Sequence, residues 1–279
     1  MAAFLLIAAA FLTMHWRQKQ LDTKRFVLLS LVCLAPLGLG ETKIVIILVP
    51  LMALILFRRE IMKAPLRNLP RLFIIGLLTA GFAYFYAVVI SNTTFADMYK
   101  VTSDYNLGSR GYGDNILNRT TVLTFWWSHH GLNEPIGFFF GHGLGSSFWT
   151  ETSPVVGHVA VRFPHYGIDL TSASAMLWDI GMIGLILYIG ILITAWFAGN
   201  RILRQTKDPA IHADVLAIQS ALVVFIIYIF YGNSSINLLP FQVIIAVVLG
   251  YLAYLYKQTV AAAAIRHDEK SFSPYVERL

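Results

Sequence analysis

Three observations predict an all-α, polytopic integral membrane protein of about seven transmembrane helices with one large outside loop. Of the 279 residues, 57% are hydrophobic and only 13% are charged, where soluble domains run at about 45 to 50% and about 25%. The apolar residues fall in blocks free of Lys, Arg, Asp and Glu, at 26–40, 44–57, 72–90, 181–198, 215–231 and 241–256. Basic residues alternate between being dense and being sparse in the segments that separate these blocks, which is the pattern that sets orientation in a membrane. A soluble enzyme with a polar surface is excluded. The net charge of +6 does not indicate a nucleic-acid partner, because the basic residues lie between apolar blocks rather than on one soluble face.

Residues 1–90 are expected to supply four spans. The first, over 1–16, is short; it resembles a signal-peptide core but has neither a basic residue before its apolar run nor a convincing cleavage site. The second and third are separated by Glu41, Thr42 and Lys43. One long helix here would bury two charges at about 2.5 to 3.5 kcal/mol each and place the two most basic segments on opposite sides. A tight outside hairpin avoids both costs. The cytoplasmic side then receives Arg17, Lys19, Lys24 and Arg25; Arg58, Arg59, Lys63, Arg67 and Arg71; Arg201, Arg204 and Lys207; and Lys257, Arg266, Lys270 and Arg278. Residues 91–172 form the outside loop, 173–256 supply spans five to seven, and 257–279 form a cytoplasmic tail. The single cysteine, Cys33, sits in an apolar block, so no intramolecular disulfide or cysteine cluster is possible.

A soluble-facing site can be built only on the outside loop. It carries Asp97, Asp104, Asp114, Glu134, Glu151 and Asp169, and His129, His130, His142, His158 and His165. Gly113 or Asp114 can start a helix whose apolar side holds Ile116, Leu117, Val122, Leu123, Phe125, Trp126 and Trp127, with Arg119 in its middle and its tryptophans at the membrane interface. Gly141, Gly143 and Gly145 then break the pattern. Without a Gly-Lys-Ser/Thr ending this cluster is not a nucleotide loop. It is either a plain turn or a set of backbone amides able to hold an anion. Arg119 is either a headgroup-facing arginine or an anion ligand, and Lys43 is either neutralised by Glu41 or functional. No metal-ligand spacing is present, so no metal site is expected.

The order of these features along the chain resembles the O-antigen ligase and O-antigen polymerase superfamily. Arg119, an aromatic helix, Pro135 and the glycines at 141, 143 and 145 lead into a span opened by Asp179, Ile180, Gly181, Met182, Ile183, Gly184 and Leu185. The resemblance covers about residues 41 to 190, with its specific part at 119 to 188. Arg119 stands at the family's loop arginine, Lys43 where a Ser-Arg pair opens a span, and Asp179 in place of a glutamate. Leu170 and Thr171 stand where the ligases carry His-Asn; His165 lies five residues earlier. That departure points to the polymerase branch. Family members carry further spans upstream, so the chain is expected to be a C-terminal portion or a short member.

The resemblance implies a bacterial inner-membrane glycosyltransferase whose loop is periplasmic and whose donor is an undecaprenyl-diphosphate-linked glycan. It polymerises oligosaccharide repeats into a surface polysaccharide, with a chain-length regulator and a flippase as partners and membrane lipids around it. The chemistry requires cations for the departing diphosphate and an acceptor for the attacking hydroxyl's proton, and no nucleotide, cofactor or metal. Arg119 and His165 are the expected catalytic residues. Lys43, Arg110 and the amides at Gly141, Gly143 and Gly145 are expected to bind diphosphate, with Asp169 and Asp179 in support. The alternatives are a ligase that transfers glycan to another acceptor, and a non-catalytic transporter or assembly protein. The spans carry almost no ionisable residue at mid-membrane, which counts against transport.

Overall fold

The computed structural model describes residues 2–39, 44–85, 88, 93–108, 111–131, 134–150 and 155–261. Among them the regular elements are helices, with no strand. In order the helices are α1 (Ala2–Arg17), α2 (Thr23–Leu39), α3 (Val45–Lys63), α4 (Pro65–Phe85), α5 (Phe95–Asn106), α6 (Thr121–His130), α7 (Pro135–Phe140), α8 (Ser172–Gln205), α9 (Pro209–Tyr231), α10 (Ser234–Asn237) and α11 (Leu239–Tyr256). The predicted hairpin at Glu41 to Lys43 lies outside the described residues.

Among the described residues three helices are long and apolar enough to cross a membrane: α8, α9 and the stretch Leu239–Val260; α1 and Val45–Arg58 are apolar but shorter. The chain is therefore a membrane protein by its helices. In α8, Gly181 has φ 69° and ψ −173°, which is not helical, so the helix breaks there into two. The part after the break, 182–205, is about 36 Å long at about 1.5 Å per residue, enough for about 30 Å of hydrocarbon. The part before it is buried over 172–179 and forms the floor of the site described below.

The chain divides into two compact units. The first contains 1–76, 193–223 and 243–279. In it, polar contacts tie helix ends that carry the basic segments. Arg17 at the end of α1 pairs with Glu60 near the end of α3. His15 Nε2 lies 2.8 Å from Asp214 Oδ1, and the Tyr251 hydroxyl donates to Asp214 Oδ2 at 2.5 Å. Arg201 Nη1 donates to the Tyr256 hydroxyl at 3.2 Å. Within the helices, Arg58 donates to Gln219 Oε1 at 2.6 Å and Asn200 Oδ1 at 3.1 Å, and its guanidinium lies 4.3 Å from the centre of the Trp196 ring. A charge among apolar helices needs such partners, since desolvation otherwise removes most of its benefit.

The second unit contains 77–192 and 224–242. It holds α5, α6, α7, the glycine turn, the first half of α8 and α10. All residues of the site discussed below belong to it.

Candidate functional site

The site grows from one face of α6. Val122, Trp126 and His130 are buried, and their spacing of four residues places them in one stripe along the helix. The Trp126 indole N–H donates to the Leu177 carbonyl at 3.1 Å, which fastens α6 to the start of α8. Two sequence expectations are corrected here. The helix begins at Thr121 rather than at Gly113 or Asp114, because the Asn118 side-chain oxygen accepts from the amides of Thr120 and Thr121 at 3.0 and 2.8 Å and so caps the first turn. Of the paired tryptophans only Trp127 is exposed, at 57%, whereas Trp126 is 1% exposed; Trp126 is part of the interior, not of an interfacial belt.

Arg119 therefore sits just ahead of α6, not in the middle of a helix. Its guanidinium lies between two tyrosine rings, 4.2 Å from the centre of Tyr112 and 4.3 Å from that of Tyr231. Nε donates to the Tyr231 carbonyl at 2.6 Å and Nη1 to Asn106 Oδ1 at 3.0 Å. These bonds use two of the five N–H groups of a guanidinium and fix its plane. The charge is thereby oriented before any ligand arrives.

The glycine turn has a different role from the one the resemblance implies. Asp179 is 6% exposed, and the turn wraps its carboxylate. Oδ1 accepts from the Ser146 hydroxyl and the Ser147 amide, each at 2.9 Å, and Oδ2 accepts from the Gly145 amide at 2.8 Å. The Gly143 amide donates to the Asp179 carbonyl at 2.9 Å, the His142 amide to the Trp178 carbonyl at 2.8 Å, and the Gly141 amide to the Gly137 carbonyl at 3.0 Å. The three glycine amides expected to hold diphosphate are thus turned onto the protein itself. The anion in this nest is Asp179.

Glycine is required at both ends of this junction. Gly141 has φ 73°, and a Cβ there would come within 2.5 Å of the Asp179 carbonyl carbon. Gly181 has φ 69°, and its Cβ would collide with the Phe139 carbonyl. The two backbones approach so closely that any side chain must separate them. The turn at 141–145 and the span opening at 179–181, read separately in the sequence, are one interlocked element.

Histidines that the sequence did not connect meet beside this element. His130 is 1% exposed. Its Nδ1 lies 3.2 Å from the Trp126 carbonyl, and its Nε2 lies 2.7 Å from His142 Nε2. Burial pushes both imidazoles below the usual histidine range; for His130 the Trp126 carbonyl opposes this, and for His142 the Glu134 charge does. His129 packs edge-on to Phe163 at 4.8 Å and lies 5.7 Å from Trp178. His165 stands apart: it is exposed, has φ 62°, and its ring lies 6.2 Å from Trp149. Its carbonyl accepts from the Ile116 amide at 2.8 Å, so its position is held through the backbone. Asp169 is 8% exposed, accepts weakly from the Trp149 amide at 3.4 Å, and is pushed above the usual carboxylate range by burial.

The expectation of no metal site rested on spacing alone. His130, Glu134 and His142 nevertheless bring one ligand atom each to within 4.8 Å of one another. Lys43 and Arg110 lie outside the described residues. No family model, curated protein or solved structure matches the chain.

Proposed function

We propose that the chain acts on undecaprenyl-diphosphate-linked oligosaccharides at the periplasmic face of a bacterial inner membrane, joining repeats into a surface polysaccharide. The observation that carries this reading is Arg119. A guanidinium packed on the rings of Tyr112 and Tyr231, with three N–H groups that bond none of the described residues, is preorganised for a diphosphate leaving group, because its orientation costs nothing at the moment charge develops. Lys43 and Arg110 are the further candidates that the resemblance offers for the diphosphate. Asp169 and His165 are the candidates for accepting the hydroxyl proton; Asp169 has the better-suited environment, since burial raises its affinity for a proton. Asp179 acts through the turn it holds and positions the loop.

The predicted topology of seven spans supports a common side for the basic segments. Arg17 at the end of α1 meets Glu60 near the end of α3, which supports two spans rather than one between these ends. A non-catalytic assembly protein is the second reading. It is favoured by the glycine turn, whose three glycine amides serve internal bonds.

Replacement of Arg119 separates the two. In cells lacking the native enzyme, Arg119→Ala should abolish long-chain glycan with protein abundance unchanged, and Arg119→Lys should rescue poorly because a point charge cannot reproduce the planar fork. Wild-type polymer from the alanine variant refutes the assignment.

A further inference from the structure

Metal ions in proteins are held by a few side chains whose lone pairs converge, whose second ring nitrogen is tied down, and whose surroundings are dry. At the junction of α6, α7 and the glycine turn the donor atoms converge, His130 has its second ring nitrogen tied down, and an aromatic wall keeps that imidazole buried. His130 closes the buried stripe of α6; with Nδ1 donating to the Trp126 carbonyl at 3.2 Å, its Nε2 presents a lone pair. His142, carried by the turn, brings its own Nε2 to 2.7 Å from that lone pair. Glu134, at the start of α7, brings a carboxylate oxygen into the same 4.8 Å group. Trp178 closes one side, 4.7 Å from the His130 ring and 6.0 Å from the His142 ring, centre to centre.

Gly137 supplies an independent sign that the space beside the two rings is kept. A Cβ there would come 3.0 Å from His142 Cε1 and 3.1 Å from His130 Cδ2. Its φ is not in the left-handed region, so no backbone constraint calls for glycine at this position. Room next to the imidazoles does.

We propose that His130, Glu134 and His142 form a binding site for one divalent transition ion of the zinc class, outside the membrane-spanning helices. Two imidazoles and one carboxylate are the donor set of zinc sites that keep a fourth position for water or a substrate oxygen. They are a poor set for magnesium or calcium, which take oxygen ligands. In the metal-free form a proton is shared between the two Nε2 atoms. The ion takes its place, and His142 carries its proton on Nδ1 instead, so each imidazole remains neutral and no net proton is released. Two nitrogens bound at about 2.0 to 2.1 Å in tetrahedral geometry lie about 3.3 to 3.4 Å apart. The rings must therefore separate by about 0.6 Å, which Glu134, being exposed, can follow. The ion would join α6 and α7 to the turn that encloses Asp179, whatever reaction the protein performs. The site does not rest on the glycosyltransferase reading.

The test uses the full chain purified in detergent, stripped with chelator and titrated with Co²⁺, then with Zn²⁺. One equivalent of Co²⁺ should bind with the visible absorption of a four-coordinate N/O site, and Zn²⁺ should displace it while a large excess of Mg²⁺ does not. Affinity should fall at least about tenfold in Glu134→Gln and be lost in His142→Gln, while His129→Ala and His158→Ala keep it. Glu134→Gln alters an exposed side chain, so its result does not depend on the tolerance of the interior. Absence of saturable Co²⁺ binding overturns the proposal. So does binding that survives both Glu134→Gln and His142→Gln, or that Mg²⁺ displaces.

Discussion

Removing the Asp179 carboxylate should open the glycine turn, and the size of the effect follows from its bonds. Three donors end on it, from Gly145, Ser146 and Ser147 at 2.8 to 2.9 Å; in Asp179→Ala the Gly145 and Ser147 amides lose their partner, while the Ser146 hydroxyl keeps the Trp178 carbonyl at 3.3 Å. A buried donor left without a partner costs about 1 to 3 kcal/mol. Because Gly145 itself is exposed, water can rescue part of the loss, and a total of about 2 to 4 kcal/mol is expected. At about 1.4 kcal/mol per factor of ten, the open form of the turn should become about 30 to 700 times more populated. Amide hydrogen exchange reads this population directly. The peptide covering 141–149 should exchange faster by that factor in Asp179→Ala. In Asp179→Asn the effect should be smaller, because one oxygen still accepts from Ser146 and Ser147 while the amide group faces the Gly145 N–H. An unchanged exchange rate in the alanine variant would refute the claim that the turn exists to hold this carboxylate.

Three further outcomes are expected. Gly181→Ala should disrupt the same segment severely, because its Cβ meets backbone that cannot move, whereas Gly145→Ala, with φ 78° and open space around it, should cost only the left-handed strain of about 1 to 2 kcal/mol; hydrogen exchange ranks the two. Because burial raises the proton affinity of Asp169 in the folded state, with Asp179 adding to the rise, the folded form binds more protons than the unfolded form just above the ordinary carboxylate range. Stability should therefore fall as pH increases through that window, and Asp169→Asn should flatten this slope in thermal unfolding across pH 4 to 7; an unaltered slope contradicts it. Reporter fusions after Lys63 and Gln205 should read cytoplasmic, and fusions near Asn106 and Ser235 periplasmic. A cytoplasmic signal at Asn106 would overturn the topology.

The helical class and the positions of α8, α9 and α11 were legible because uncharged apolar runs of membrane length have few alternatives. The boundaries of α6 were not. Apolar periodicity continues back to Ile116, and only the side-chain cap from Asn118, which competes with the helix for those amides, shows where the helix starts. Gly141, Gly143, Gly145 and Asp179 were legible as a set through the order of the motif, but their bonding was not. Whether an amide faces an outside anion or a carboxylate 34 residues along the chain, as between Gly145 and Asp179, is decided by tertiary contact. The meeting of His130, Glu134 and His142 was hidden for a related reason. Gly131, with φ 47°, breaks the chain between the first two, and the turn at Gly141 returns the third, so the spacing matches no linear ligand pattern. Asn106, Tyr112 and Tyr231, which orient Arg119, come from three separate segments and leave no local signal.

The central claim is that Arg119 works on a lipid diphosphate. The most direct measurement supplies the full-length protein, in vesicles, with undecaprenyl-diphosphate-linked repeats and follows both glycan length and release of undecaprenyl diphosphate. The wild type should lengthen the glycan and release one lipid diphosphate per bond formed, and Arg119→Ala should do neither while retaining its fold by hydrogen exchange. Equal lengthening by the two proteins, or no diphosphate released by the wild type, would contradict the account.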